Sequence, residues 1–358
     1  MTTRLMILRW GIILLIGGYA LAVAVLQLLW RTSALNIWWV SLLNVFGLWL
    51  YVPLPFLLLL GLLVQPRAIG AALIVPLVCF GWEYAPLLLT AKNSAAGTPL
   101  RVMTWNVLYS NSDVEAIDAL IREHDPDVLA LQEYGFEQAL TLEPILDRRY
   151  PYRASAPGGS SGLGVWSRYP ILDWWARDDR RSDCACQRMV LDINGDHVRF
   201  VNAHPRAPKF TFRHYLAGVR LPVSVLSDFR TAHQQPALDA LVEEAARGDR
   251  PLILVGDLNT GDRQPNYWRL RRHLVDAYRV AGRGFGLTFP NAHERLGLLR
   301  LPLLVRIDYI FQSPSITAAR AFTAASPSSD HRAVVADLRV PVPAQVDATP
   351  YVQPRSSP

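Results

Sequence analysis

Between Arg9 and Arg31 the chain carries no charged residue, and this stretch restricts the fold more than any other feature. Trp10–Trp30 is long enough to cross a bilayer, because about 20 apolar residues in a helix span roughly 30 Å of hydrocarbon. Hydrocarbon offers the backbone no partner for its N–H and C=O groups, so the segment is expected to be a helix. A cleaved signal peptide would also begin with basic residues such as Arg4 and Arg9. Its apolar run would be shorter, however, and would end at a small-residue cleavage site, which does not follow here.

A second uncharged stretch, Ile37–Val64, carries Trp38, Trp39, Trp49 and Tyr51 as candidate interfacial anchors, and Pro53 and Pro55 as an expected kink. Ala68–Thr90 is a third candidate span. It contains Glu83, which is expected at the membrane edge, since a carboxylate in the hydrocarbon centre costs about 2.5–3.5 kcal/mol even on the lenient insertion scale. A re-entrant segment ending near Trp82 is the competing reading. Three spans with a cytoplasmic N-terminus put Arg4, Arg9 and Arg67 inside and Arg31 and Lys92 outside, in keeping with the positive-inside bias. An integral membrane protein with its C-terminal part on the outer face is therefore expected.

The formal net charge of +6 could suggest a nucleic-acid partner. Residues 1–96 hold five of the basic residues and a single acidic one, leaving 31 basic against 29 acidic beyond them. The basicity is thus mostly a membrane-orientation signal, and the soluble part is near neutral. Arg269, Arg271 and Arg272 form a local basic cluster, a pattern more often solvated surface than phosphate site. Of the three cysteines, Cys184 and Cys186 stand too close in sequence for a comfortable bridge, and no second pair or histidine at zinc spacing accompanies them.

Small and polar residues with Gly97 and Pro99 make 91–99 a linker between a membrane anchor at 1–90 and a domain at 100–340. The proline-rich remainder, 341–358, reads as a disordered tail. About 240 residues suffice for one α/β domain with a substantial core. Inside it, β-type runs alternate with helical patterns. Arg101–Trp105 and Asp127–Leu131 read as strands, with Asp113 capping a helix between them that carries Val114, Ile117, Leu120 and Ile121 on one face. Later strands are expected at Leu163–Trp166, Met189–Ile193, Val198–Asn202 and Leu252–Val255.

The polar chemistry gathers where these strands stop. Asn106 and Glu133 follow the first two, His204 and Asp257 close later ones, Asn259 comes just after, and Asp308, Asp330 and His331 flank the last apolar strands. Ionised aspartates are almost never fully buried unless paired, so such a set calls for a metal ion, a histidine partner or a charged substrate. Singly, Asn106, Asn259 and Asp330 read as turn formers, Asp257 as a helix cap and His204 as surface. Their joint occurrence carries the weight.

Seven motifs in order, Thr104-Trp105-Asn106-Val107, Leu131-Gln132-Glu133, Gly162 through Pro170, Asn202-Ala203-His204, Gly256-Asp257-Leu258-Asn259, Ile307-Asp308-Tyr309 and Ser329-Asp330-His331, resemble the set of the endonuclease/exonuclease/phosphatase superfamily. The resemblance covers roughly 100–340. It implies a four-layer α/β sandwich of two facing mixed β-sheets, here preceded by the transmembrane segment. It also implies a Mg²⁺ or Mn²⁺ site at Asn106 and Glu133, with Asp330 a further ligand; hard oxygen donors suit either ion. His331 is implied to face the scissile phosphate with Asp308 holding its ring, Asp257 to handle the water's proton, Asn259 to orient it, and His204 to be a second phosphate-facing imidazole. Whether His331 is base or clamp stays open at this point.

The function expected is a membrane-anchored, divalent-metal-dependent phosphoesterase. Its partners would be the lipid bilayer and a phosphate ester: a nucleic acid, a lipid headgroup or a small phosphoester. An extracytoplasmic nuclease and a catalytically silent interaction module are the alternatives. The glycine-rich stretch Ser160–Ser167 lacks the Lys-Ser/Thr ending of a nucleotide loop and is expected to be a strand and turn. Two segments, Lys209–Phe229 and Leu296–Val305, carry no motif; the second reads most simply as a buried strand or turn, and the hypothesis set beside that reading is that both rim the cleft and touch lipid.

Overall fold

The computed structural model describes residues 3–64, 66–89, 96–179, 184–216, 219–291, 295–296, 299–300, 304–325 and 328–341. The proposed tail and most of the linker lie outside these residues, as do parts of the Leu-rich segment before Ile307. The first elements are the helices α1 (Thr3–Leu29), α2 (Trp38–Val45), α3 (Leu54–Val64) and α4 (Pro66–Leu88), with a 3-10 turn at Gly47–Tyr51. Met6–Leu29 and Gly70–Leu88 are each long and apolar enough to cross a membrane. Large apolar side chains point outward from these helices, among them Leu14, Phe56 and Trp82 at 72%, 70% and 80% exposure.

The stretch expected as one second span is broken. Trp38–Val45 and Gly47–Leu62 meet at 76°, and the bend lies at Phe46, not at Pro53 or Pro55. Gly47 lies under the Arg263 guanidinium, so the α/β domain packs directly on the elbow.

Glu83 is half-buried and held by partners. Gln27 Nε2 donates to it at 2.9 Å, the Tyr51 hydroxyl at 3.2 Å, and Arg263 ion-pairs with it. The ends of α1 and α4 and the 3-10 turn therefore lie on the side of the catalytic domain. Further bonds fix the junction: Trp49 Nε1 donates to the Leu304 carbonyl at 2.8 Å and Arg279 to the Glu83 carbonyl at 3.0 Å.

The domain opens with β1 (Thr98–Asn106), α5 (Val114–His124), β2 (Val128–Gln132), α6 (Phe136–Leu146), β3 (Tyr152–Ala156) and β4 (Leu163–Ser167). Then come β5 (Ile171–Asp179), β6 (Cys184–Ile193), β7 (Asp196–Pro205) and the hairpin β8 (Lys209–Leu216) with β9 (Val219–Arg230). α7 (Gln235–Ala246), β10 (Leu252–Asp257), α8 (Pro265–Leu270), β11 (Val275–Asp276) and α9 (Ala277–Ala281) follow. The chain closes with a small ribbon of β12 (Arg295–Leu296) and β13 (Leu299–Arg300), then β14 (Asp308–Gln312), β15 (Thr317–Ala324) and β16 (Ala333–Val340). As expected, Asp113 caps α5, its side chain accepting from Ala116 N at 3.0 Å, and the glycine-rich stretch is a turn leading into β4.

Two six-stranded mixed sheets, ordered β15-β16-β1-β2-β4-β3 and β11-β14-β10-β7-β6-β5, face each other. Val102, Val128, Val165, Phe200, Val255 and Ile310 fill the space between them. Ile117, Ile121 and Leu142 of α5 and α6 cover the outside of the first sheet. Leu238, Leu241 and Leu270 of α7 and α8 cover the second. The result is the four-layer α/β sandwich. Near the site the interlayer turns polar: Gln132 Nε2 donates to Asn202 Oδ1 at 2.7 Å, and Asn202 Nδ2 donates to the Leu131 carbonyl at 3.0 Å. Such directional bonds fix the relative position of two sheets more tightly than apolar contact alone. Cys186 is disulfide-bonded, against the expectation from spacing, while Cys79 is free.

Candidate active site

Register alone brings the polar residues together. β1 and β2 run parallel with Asn106 level with Gln132, so Asn106 and Glu133 leave their strands side by side. β7 and β10 run parallel with Val255 level with Asn202, which delivers His204 and Asp257 to one edge. β14 runs antiparallel to β10 and starts where it stops, Asp308 opposite Asp257. β16 is antiparallel to β1, with Val334 opposite Thr104, so the turn before it returns Asp330 and His331 over Asn106.

Local backbone conformation sharpens the placement. Glu133 and Asn259 both adopt left-handed backbone, with φ of 49° and 48°, a state that costs a non-glycine residue about 1–3 kcal/mol and concentrates at functional sites. Gly256 has φ of 134°, and a side chain there would strike the Ala203 carbonyl. Only glycine lets β10 approach β7 so closely just before Asp257.

At the centre His331 Nδ1 bonds Asp308 Oδ2 at 2.9 Å, leaving Nε2 3.6 Å from Asp257 Oδ2. His204 Nε2 lies 3.6 Å from the same Asp257 oxygen and 3.9 Å from Glu133 Oε1. Asn106 Nδ2 bridges the two carboxylates, donating to Asp257 Oδ2 at 3.1 Å and Glu133 Oε1 at 3.2 Å. Asn259 N donates to Asp257 Oδ1 at 2.8 Å, and its side-chain amide to the Pro205 carbonyl at 2.9 Å. All eight residues named from the sequence thus surround one cleft or support its wall.

Burial disfavours a charged His331, but Asp308 and Asp257 outweigh it and push its pKa up to about 10. His204 is also raised, burial being outweighed by Asp257 and Glu133. Burial favours a neutral Asp257, yet the two imidazoles hold its pKa below the ordinary carboxylate value. Asp308 is raised by burial, which His331 offsets only in part. We read the dyad as imidazolium and carboxylate at neutral pH, because His331 has two carboxylate neighbours.

Two donor sets could hold a cation. Asp257, Asp308 and His331 each place one ligand atom within 4.8 Å of the others, but the His331–Asp308 bond already occupies that group. Glu133 and Asp330 fit better. Asp330 Oδ1 is buried with no hydrogen-bond partner among the described residues, and burial raises the Asp330 pKa, with Glu133 adding to the effect. An orphaned carboxylate oxygen near a second carboxylate suits a hard divalent ion. Asn106 turns its amide nitrogen toward Glu133, and its carbonyl accepts from Leu108 N at 3.0 Å.

Several supporting residues were given no role from the sequence. Ser329 Oγ donates to the Asn106 carbonyl at 2.7 Å and accepts from His331 N at 3.0 Å, tying the His331 turn to β1. The Phe289 ring packs 4.7 Å from the His331 ring. Arg306, buried against Asp276 at 2.7 Å and Asp262 at 3.3 Å, holds the start of β14. Each belongs to a turn whose partner lies far away in sequence, so local pattern could not single it out.

The cleft itself has a volume of about 810 Å³ and runs from Glu133, Asp257, Asp330 and His331 to Val45 and Phe46 of the helical elbow. Phe210 and Phe229 of the hairpin and Leu304 and Val305 line its sides, so both motif-free segments reach the rim.

A sequence profile described as the Endonuclease/Exonuclease/phosphatase family matches residues 103–331. Nothing among curated proteins matches the chain. Solved structures share the fold. An endonuclease/exonuclease/phosphatase from Beutenbergia cavernae is 22% identical with a TM-score of 0.50, covering 68% of this chain and 72% of its own. One from Bacteroides vulgatus is 21% identical with a TM-score of 0.50, covering 68% and 99%. D. rerio TDP2, solved with a single-strand DNA product, is 14% identical with a TM-score of 0.53, covering 68% and 100%. With its profile match spanning every strand end that builds the cleft, the chain belongs to the endonuclease/exonuclease/phosphatase family.

Proposed function

We propose that the chain is a membrane-anchored, divalent-metal-dependent phosphoesterase, its catalytic domain on the outer face, that hydrolyses a phosphodiester or phosphomonoester by attack of water on phosphorus. The observation that carries this reading is Asp257 held between two imidazoles, each 3.6 Å from its Oδ2, beside the Glu133 carboxylate. Glu133, Asn106 and Asp330 would hold Mg²⁺ or Mn²⁺, Asn106 offering its carbonyl with the amide turned over. The ion would supply positive charge to the phosphoryl oxygens and the leaving alkoxide.

The chain's own groups do the rest. His331, an imidazolium at neutral pH, clamps a phosphoryl oxygen through Nε2, and Asp308 fixes its ring. Asp257 orients the water and takes its proton as the new O–P bond forms, Asn259 N holding the other carboxylate oxygen. The P–O bond to the alkoxide breaks in line, and solvent protonates the departing group. His204 adds a second positive face.

Outward-facing apolar side chains on the helices and the distribution of Arg4, Arg9 and Arg67 support the anchored topology. The reading is tested by incubating full-length protein with bis-p-nitrophenyl phosphate, with Mn²⁺ or Mg²⁺ or with EDTA. Cation-dependent release that His331→Ala abolishes is expected. Absence of release, or equal rates in the variant, would refute it. Nicking of supercoiled plasmid in the same assay would make the substrate a nucleic acid, which the domain's near-neutral charge disfavours.

A further inference from the structure

The membrane helices do more than hold the domain near a bilayer. Their elbow at Val45 and Phe46 lines the same cleft as Asp257 and His331. Val45 Cα and Cγ1 both lie 3.9 Å from the Cβ position of Gly261, two residues beyond Asn259. The contact is secured on both sides: Trp49 Nε1 bonds the Leu304 carbonyl at 2.8 Å, and Arg263 ion-pairs with Glu83 while stacking 4.4 Å over the Trp30 ring.

The cleft's lining is mixed: charged and polar groups share it with Val45, Phe46, Phe210 and Leu304. The anchor contributes Val45 and Phe46 to this apolar wall, and the hairpin contributes Phe210, which with Phe212 stands about half exposed, at 48% and 53%. A soluble sugar phosphate has nothing apolar to place against such a wall. A hydrocarbon tail has, and a tail anchored in the bilayer reaches the elbow from the layer in which the elbow's own helices are embedded.

Resting on the phosphoesterase reading above, we infer that the elbow is part of the substrate site and that the substrate is a phosphoester carrying a hydrocarbon tail, drawn from the membrane so that its tail lies against Val45 and Phe46 while its phosphorus meets His331. Phe46 is then a specificity-determining residue, supplied by the anchor. An apolar wall of this kind discriminates through area removed from water.

The test compares two esters with the same scissile bond: hexadecyl p-nitrophenyl phosphate and methyl p-nitrophenyl phosphate, given to full-length protein in dodecyl maltoside micelles, which contain no phosphate. The wild type is expected to prefer the hexadecyl ester in kcat/KM by at least about tenfold, the discrimination available to a few methylenes in an apolar pocket. In Phe46→Ala the preference ratio should fall about tenfold, and Phe46→Leu should restore most of it. Partition into micelles is the same for every variant, so the change in ratio reports the wall.

An independent arm needs no variant. A hexadecyl phosphonate bearing a diazirine in its tail should label the peptide containing Val45 and Phe46 on irradiation. Equal kcat/KM for the two esters, a ratio unchanged in Phe46→Ala, or labelling that avoids this peptide would each overturn the inference while leaving the phosphoesterase reading intact. Failure to hydrolyse either ester with Mn²⁺ or Mg²⁺ would instead overturn that underlying reading, and the inference with it.

Discussion

His331 Nδ1 lies 2.9 Å from Asp308 Oδ2, and both residues are almost wholly buried. The bond leaves Nε2 as the ring's only free face, so Asp308 decides which nitrogen meets the substrate and how long the ring keeps its proton.

A pH dependence follows from that pairing. The His331 pKa, raised to about 10 in the folded protein, exceeds the unfolded value of about 6.5. The stabilisation is present in full below pH 6.5 and is lost as pH rises through about 10. In metal-free protein the melting temperature should therefore fall between about pH 7 and pH 10, and His331→Gln should flatten that slope. An NMR titration placing the His331 ring near pH 6.5 would count against this account.

Asp308→Asn should leave the ring in place but deprive it of its main counter-charge. The titration point drops, and activity falls by roughly 10²–10⁴, the range typical of disturbed proton-handling groups. Binding of Mn²⁺, measured by calorimetry, should change little.

Asp257 and Glu133 are separable in the same way. Asp257→Asn should reduce kcat by about 10²–10⁴ with Mn²⁺ binding retained. Glu133→Gln should weaken metal affinity and activity together. Calorimetry and rate measurements on both variants distinguish the roles, and equal effects on metal affinity would merge them.

The Glu83–Arg263 pair gives a stability prediction. Either single truncation, Glu83→Ala or Arg263→Ala, leaves the half-buried partner charge without its counter-ion and should cost about 1–3 kcal/mol. Replacing both by apolar residues of similar volume should be far milder. Thermal unfolding of the detergent-solubilised protein checks this, and a double variant no better than the singles would contradict it.

The sequence revealed the parts whose signals are local. Asp113 announced the start of α5, short β-type apolar runs announced β1, β2 and β10, and the residues just past those strands proved to line the cleft or support its wall. Glu83 stood out because a lone carboxylate in an apolar run needs an explanation, although nothing nearby identified Arg263 as its partner. The bend at Phe46 was invisible for the same reason. Hydropathy counts apolar residues without regard to direction, prolines drew attention to 53 and 55, and the group packed on Gly47, Arg263, lies more than two hundred residues downstream. Phe289, packed on the His331 ring, and Thr288, whose hydroxyl accepts from Asp308 N at 3.4 Å, support the His331–Asp308 pair from turns that have no repeating pattern to read.

The contact between Gly47 and Arg263 has a practical consequence. Cutting the chain at its linker to obtain a convenient water-soluble fragment would remove one jaw of the vice along with the leash. Such a fragment would keep the Asp257–His331 cluster but lose Val45 and Phe46 from the cleft wall, and on the inference drawn above its preference between esters should be weaker than that of the full chain.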